Sequence, residues 1–411
     1  MRKLFRQLRP CRWPILFLGL YILLDLIGIL YSPAKSIALT KYAVVIPMAV
    51  FAVLLVYYCD SRAKIDRILL NIGCVGTFLA LFTLFNYFVV EILPIPYYRR
   101  LSMLTDYNRF ASVIFTGFLM LLILLLNSKL PLLKKYAAIF GVSLIDYTVL
   151  NLCGSRRTYA TLIPAIFIIV CYQLIRTAVR ERSTKKILQN AVAMGLVSVI
   201  VFSFNASILK GFEDLSGDKY DAYVAQNGDA MEENSIDTII DSMGGEGIFS
   251  KRYAIWSLAL DEAASYSPVE MIVGKGTSYE AHLYDIRTNE RLNELYAAYQ
   301  PKPQYWMTPH NFLLSDFLSG GILKLAASLA VWVSIGWILL RMLRHKTSRS
   351  LIYGAALGIL LINALISGRY TYIYDKYFWI FFTLMALEWN LVTREKGLLP
   401  GPSRGPDAPA A

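Results

Sequence analysis

The sharpest pattern of chemistry-bearing residues is Thr308-Pro309-His310-Asn311. Threonine is a good N-cap and proline suits the first helical position, which predicts His310 in the first turn of a helix continuing through Phe312, Leu313, Leu314 and Phe317. Backbone N–H groups at such an end attract anions. The same positive end disfavours an imidazolium, so His310 is expected to be a neutral proton acceptor near pH 7. Upstream, Arg252 and Trp256 fall on one face of a helix predicted over 251–266. Arg156 and Arg157 follow Cys153-Gly154-Ser155 in a short turn between two apolar runs. A guanidinium fork fits phosphate oxygens bidentately, so these arginines read as a phosphate clamp. The plainer alternatives are arginines snorkelling to lipid headgroups, a solvated Arg252 and an interfacial histidine.

Further candidates are weaker. Asp375 lies in the aromatic stretch 370–376, which reads first as an interfacial belt and second as a reach into the same chamber. Arg99 and Arg100 occupy an earlier loop of the same side. Asp25 and Asp146 stand inside apolar runs and are expected to pair or hydrogen-bond within the bundle. His345 falls in a basic loop expected on the cytoplasmic side, and His282 inside an expected cap helix with no anion site around it. There is no glycine-rich phosphate cradle and no His-Glu-x-x-His, and the acidic residues match no ligand spacing, so neither a metal nor another cofactor is expected.

The elements that must position these residues follow from hydropathy. The 411 residues are 56% hydrophobic and only 17% charged, against about 25% charged in soluble domains. Apolar runs of membrane-spanning length, about 17 to 25 residues, fall at 14–31, 42–59, 68–90, 110–127, 136–153, 158–172, 189–206, 322–340, 351–367 and 377–391. Lysines and arginines collect in alternate short loops, which puts both termini in the cytoplasm. The net charge of +12 is therefore a topology signal and says nothing about nucleic acid. The first apolar run lacks a small-x-small cleavage site and reads as a retained span rather than a signal peptide. The five cysteines have no metal-ligand spacing and imply no disulfide framework.

The expected fold is an all-α polytopic integral membrane protein of about 10 to 12 transmembrane helices with one large extracytoplasmic helical loop domain. Residues 1–206 form an N-terminal transmembrane bundle, 207–309 an extracytoplasmic cap, 310–393 the C-terminal transmembrane helices and 394–411 a disordered cytoplasmic tail. The cap is acidic, with a mobile Gly-rich piece over 217–247, a helix stopped by Ser267-Pro268, a short apolar piece ending in Gly274-Lys275-Gly276, and a second helix over 278–299.

Gly154-Ser155-Arg156 at a span junction, Arg252 with Trp256, Gly274 and Gly276, and His310-Asn311 with Gly320-Gly321 beyond resemble, in that order, the O-antigen ligase family. The likeness covers residues 151–321 and the hydropathy outline of the chain. It implies a metal-independent glycosyltransferase of the bacterial inner membrane whose site faces away from the cytoplasm. The donor would be a glycan on undecaprenyl pyrophosphate. The acceptor would be lipid A core for a ligase of lipopolysaccharide biosynthesis, or another glycan for a surface-polysaccharide polymerase. His310, Arg252 and Arg156 take the catalytic positions in this resemblance, and Arg157, Arg100, Trp256, Asn311 and Asp375 are the substrate-binding candidates beside them. The arginine pair stands where one arginine is expected, which leaves Arg156 and Arg157 as alternatives. From another class, a lipid-linked glycan transporter is the competing expectation. Membrane lipids are expected partners in either case.

Overall fold

In an apolar stretch the backbone must satisfy its own N–H and C=O groups, and helices do so within one segment. A computed structural model describes residues 7–93, 95, 100–104, 107–155, 171, 184–227, 250–285, 289–290, 308–345, 349–366 and 372–397. Among these there is no strand. The helices are α1 (Arg12–Tyr31), α2 (Lys35–Tyr58), α3 (Arg62–Phe85), α4 (Tyr107–Asn127), α5 (Leu132–Leu152), α6 (Thr184–Asn227), α7 (Ser250–Ala264), α8 (Pro268–Val273), α9 (Tyr279–Leu283), α10 (Phe312–Arg344), α11 (Ser350–Ile366) and α12 (Lys376–Glu395). Six described stretches, Arg9–Tyr31, Lys35–Tyr58, Arg62–Val90, Tyr107–Asn127, Thr184–Ala222 and Phe312–Arg344, are long and apolar enough to cross a membrane. The protein is thus an all-helical, membrane-embedded chain. Of the ten expected spans, 158–172 lies outside the described residues apart from Cys171, and each of the others overlaps a helix.

The chain divides into two compact units, residues 1–65 with 254–411 and residues 66–253. In the first, α10 runs along α1, α8 docks on α10, α11 packs between α10 and α12, and α12 lies against α2. Tyr372 centres an aromatic layer, 5.8 Å from Phe312, 5.2 Å from Trp332 and 4.8 Å from Phe378 between ring centroids. Such tilted pairs contribute about 0.5–1.5 kcal/mol each beyond their area. At the other end of this unit Arg62 and Arg349 both reach the buried Glu388, at 3.1 and 3.4 Å.

In the second unit α4 is buried along most of its length, packing on α5, which in turn packs on α6. Gly76 and Gly117 let backbones touch: a Cβ on either would meet the other's Cα at 2.8 Å. Small residues at such seams are how helices associate in lipid, where apolar burial gives no driving force. Asp146 accepts a hydrogen bond from Thr77 Oγ1 at 2.9 Å, the intrabundle partner expected for it.

Three expectations, two about the cap segment and one about the tail, need correction. Helix α6 runs unbroken past 206 to Asn227, so 217–227 is helical, and Lys219 ties it down by pairing with Glu91 and donating to Tyr87 O at 2.9 Å. Within the expected helix over 278–299, Tyr279–Leu283 is helical but Tyr284 leaves helical geometry, so the helix is interrupted there; residues 286–288 and 291–299 lie outside the described set. Helix α12 continues to Glu395, into the segment expected as a tail, and residues after Gly397 are outside the description. No disulfide joins the cysteines among the described residues.

Candidate functional site

Helices α7, α8 and α9 form a frame around Ile255, Ala259, Tyr266, Tyr279, Tyr284 and Leu318, with Trp256 and Phe317 packed on it. Ser267 starts α8 through a capping box, its hydroxyl accepting from Glu270 N while the Glu270 carboxylate accepts from Ser267 N. Proline at the next position has no N–H to lose there. Lys275 pairs with Glu262 at 2.5 Å and stands 4.7 Å from the Tyr266 ring and 5.3 Å from that of Tyr279. Burial by itself would raise the Glu262 carboxyl, but hydrogen bonds from Lys275 and Tyr279 outweigh it and hold the group below the usual glutamate value. Burial pushes the Tyr266 and Tyr279 phenols up.

The loop from Gly274 to Thr277 is driven into a break in α10. At Gly321 the helix takes φ 60°, ψ −158°, a conformation that glycine alone adopts cheaply. The carbonyls that the break frees need donors. Lys275 N reaches Leu318 O and Gly276 N reaches Ser319 O, both at 3.0 Å, while Tyr266 OH donates to Leu318 O at 2.8 Å. Gly276, at φ 101°, passes so close to α1 that a Cβ would fall 2.6 Å from Ser32 Cα. The kink thus has a sequence cause, Gly320-Gly321, and a tertiary reason to persist.

The start of α10 decides where His310 lies. Thr308 is not the N-cap, and His310 is not in the first turn. Asn311 is the N-cap of α10, its side chain accepting from Leu313 N at 2.9 Å and Leu314 N at 3.3 Å. His310 precedes it, half-buried, with φ 51° in the left-handed region. Asparagine outcompetes threonine here because the Trp256 indole N–H donates to Pro309 O at 2.8 Å and fixes the residues before His310 as loop. Trp256 therefore positions the histidine segment. The helix-terminal argument for a neutral imidazole loses its first-turn geometry, while the short chain distance to the N-terminus of α10 remains.

The other expected site residues are distributed as follows. Arg252 lies on α7 one turn before Trp256, with its side chain outside the description. Arg156 and Arg157 lie outside the described residues. Arg100 is buried, 4.1 Å from the Tyr107 ring centroid and donating to Gly154 O at 3.5 Å. Asp375 is the N-cap of α12, accepting from Tyr377 N at 2.8 Å. Of the expected set, the described geometry brings Trp256, His310 and Asn311 to one place.

Along α10, either side of its break, lies a group of residues that sequence reasoning missed, apart from Asp25. Lys324, 3% exposed, sits just past the kink and bonds Asp25 of α1 and Ser319 Oγ, the latter at 2.9 Å. Asp316 stands 3.8 Å from the same ammonium and accepts from Tyr21 OH at 2.6 Å. Asp25 also accepts from Thr277, Tyr42 and Tyr374, each at 2.9 Å. A neighbouring pair, Lys41 and Glu280 at 2.7 Å, is buried as well. The signal for Asp316 and Lys324 was present, since both are ionisable residues flanking or inside an apolar run. The described residues contain no cluster of His, Cys, Asp or Glu arranged to hold a metal.

No family model matches this sequence, and no curated protein matches it either.

Proposed function

We propose that the chain is a metal-independent membrane glycosyltransferase. It moves a glycan from undecaprenyl pyrophosphate to a sugar hydroxyl with inversion, as an O-antigen ligase with lipid A core as acceptor. The reading takes the ten to twelve spans, the cytoplasmic termini and the bacterial inner membrane with it. The observation that carries it is the mounting of His310, held in a left-handed loop between the Trp256–Pro309 hydrogen bond and the Asn311 cap. A half-buried histidine whose backbone is held on both sides is placed for positioning a proton acceptor rather than for filling a core.

In this mechanism the pyrophosphate is a competent leaving group and needs no general acid. Arg252, with Arg156 or Arg157, neutralises the charge that grows on the diphosphate as the C1–O bond breaks. His310 takes the proton of the attacking hydroxyl as the bond to the anomeric carbon forms. The test is transfer by the purified chain in nanodiscs, with defined lipid-pyrophosphate donors and lipid A core or glycan acceptors. His310→Ala should lower the rate by about 100-fold or more, and a chelator should leave it unchanged. Wild-type rate in His310→Ala would sink the assignment, and transfer to glycan alone would make the enzyme a polymerase.

One observation favours a second reading, transport of a lipid-linked glycan. Ion-coupled transporters carry ionisable groups inside the bundle, as Asp25, Asp316 and Lys324 are carried here. Failure of transfer together with donor movement across proteoliposomes would select it.

A further inference from the structure

The buried cluster along α10 does not balance in charge. Asp25 is satisfied as a carboxylate: its two oxygens receive Lys324, Thr277, Tyr42 and Tyr374, four donors for about four lone-pair sites. Lys324 is committed to Asp25 and Ser319. Asp316 is left over. Its Oδ1 accepts only from Tyr21, its separation from Lys324 exceeds a hydrogen bond, and its Oδ2 makes none. Two carboxylates and one ammonium, all buried, leave one uncompensated negative charge.

What surrounds Oδ2 narrows the choice of counter-charge. Ser328 Oγ is close enough to interact with both Asp316 and Tyr372, yet Asp316 Oδ2, Ser328 Oγ and the Tyr372 hydroxyl make no hydrogen bond of good geometry. The Trp332 indole N–H, whose ring packs 5.2 Å from Tyr372, has none either. A metal cation would need five or six oxygens, and the set offers three, beside an indole that only donates and an ammonium that repels. A proton needs a single acceptor, and Ser328 Oγ is that acceptor. A bare carboxylate in such surroundings neutralises itself rather than stay charged.

We propose that Asp316 is a proton-binding site, holding one proton on Oδ2 ahead of the Gly321 break in α10. The site does not depend on the glycosyltransferase reading. The groups that face it are Tyr21 and Asp25 from α1, Tyr42 and Lys41 from α2, Glu280 from α9, Lys324 from α10 itself and Tyr372 and Tyr374 from the segment before α12. Loss of the proton puts a second full charge beside Lys324 and sets it in competition with Asp25. Because Asp316 and Lys324 lie on opposite sides of the Gly321 break, the proton governs how the two halves of α10 are tied together.

The experiment is infrared spectroscopy of the full chain in nanodiscs at neutral pH, labelled with 4-13C-aspartate and carrying Asp146→Asn to remove a second buried aspartate whose Oδ1 makes no hydrogen bond. A protonated-carboxyl C=O band that moves with the label is expected. It should vanish in Asp316→Asn, and in Asp316→Glu it should persist but no longer respond to the aspartate label. A label-sensitive band that survives in both variants overturns the proposal, as does its absence from the parent protein. Loss of the band on replacing N-methylglucamine chloride with sodium chloride at constant pH would assign the position to a metal cation instead. Should Asp316→Asn fail to fold, the Asp316→Glu and parent spectra decide the matter.

Discussion

The two units solve the problem of joining helices in an apolar solvent in opposite ways. In residues 66–253 the seam is steric, with Gly76 against Gly117, Gly73 against Leu121, and one carboxyl, Asp146, served by Thr77. In residues 1–65 with 254–411 the seam of α1 and α10 is ionic, with Asp25, Lys324 and Asp316 drawing in donors from α2, the Gly274–Thr277 loop and the segment before α12. The steric seam depends on shape over a few residues. The ionic seam depends on five stretches of chain arriving together, and it starts at Asp316 in the early turns of the helix that Asn311 caps. A buried charge is expensive enough to specify one arrangement, which suits a place where geometry must be held.

The contrast can be broken most severely at Lys324. Lys324→Met leaves the Asp25 carboxylate without its cation and should destabilise the first unit by about 3–5 kcal/mol, read by unfolding in mixed detergent micelles. Adding Asp25→Asn should recover much of that loss; a single variant as stable as the parent would mean the ionic seam is not what joins α1 to α10. The glycines come next. Gly76→Ala forces a methyl into a helix backbone and should cost about 1–3 kcal/mol. Gly276→Ala adds a positive-φ penalty of about 1–3 kcal/mol to a comparable clash, so it should be the more damaging of the two. Equal costs would show that the loop can back away from α1.

A smaller effect is expected at the cap. The folded-state value of Glu262 lies below its ordinary one, so the contribution of the Glu262–Lys275 pair is complete above the ordinary glutamate range of about 4.3. It is lost as pH falls through the depressed value. Lys275→Met should therefore lower stability at neutral pH and flatten its decline in acid. An unchanged acid limb would remove this pair from the account. Asp146→Asn should matter least, about 0.5–1.5 kcal/mol, because the single hydrogen bond from Thr77 is what the steric seam asks of that residue. A large loss there would mean that the second unit also hides an ionic network.

Much of the fold was legible because its cause is local. Length and apolarity mark a spanning helix regardless of what packs on it, and Ser267-Pro268 stops one helix and starts another by backbone chemistry alone. The glycines in the middle of the cap and at 320–321 were noticed as pattern, and their meaning is that loop and helix touch there. The site was legible only in part. Thr308 and Asn311 are both good caps, and local propensity favoured the one followed by proline. Trp256, more than fifty residues away, decides for Asn311 by holding Pro309 O.

The sequence by itself determined a membrane-embedded, all-helical chain, with its polar candidates gathered around one long hydrophilic segment, because hydropathy and capping act over one or two turns. Only the tertiary structure decided that His310 stands outside its helix, that α10 breaks where the cap loop can cover the freed carbonyls, and that Asp25 and Lys324 find each other. Those outcomes turn on which donor reaches which acceptor across some forty to three hundred residues. No property of either neighbourhood alone contains that distance.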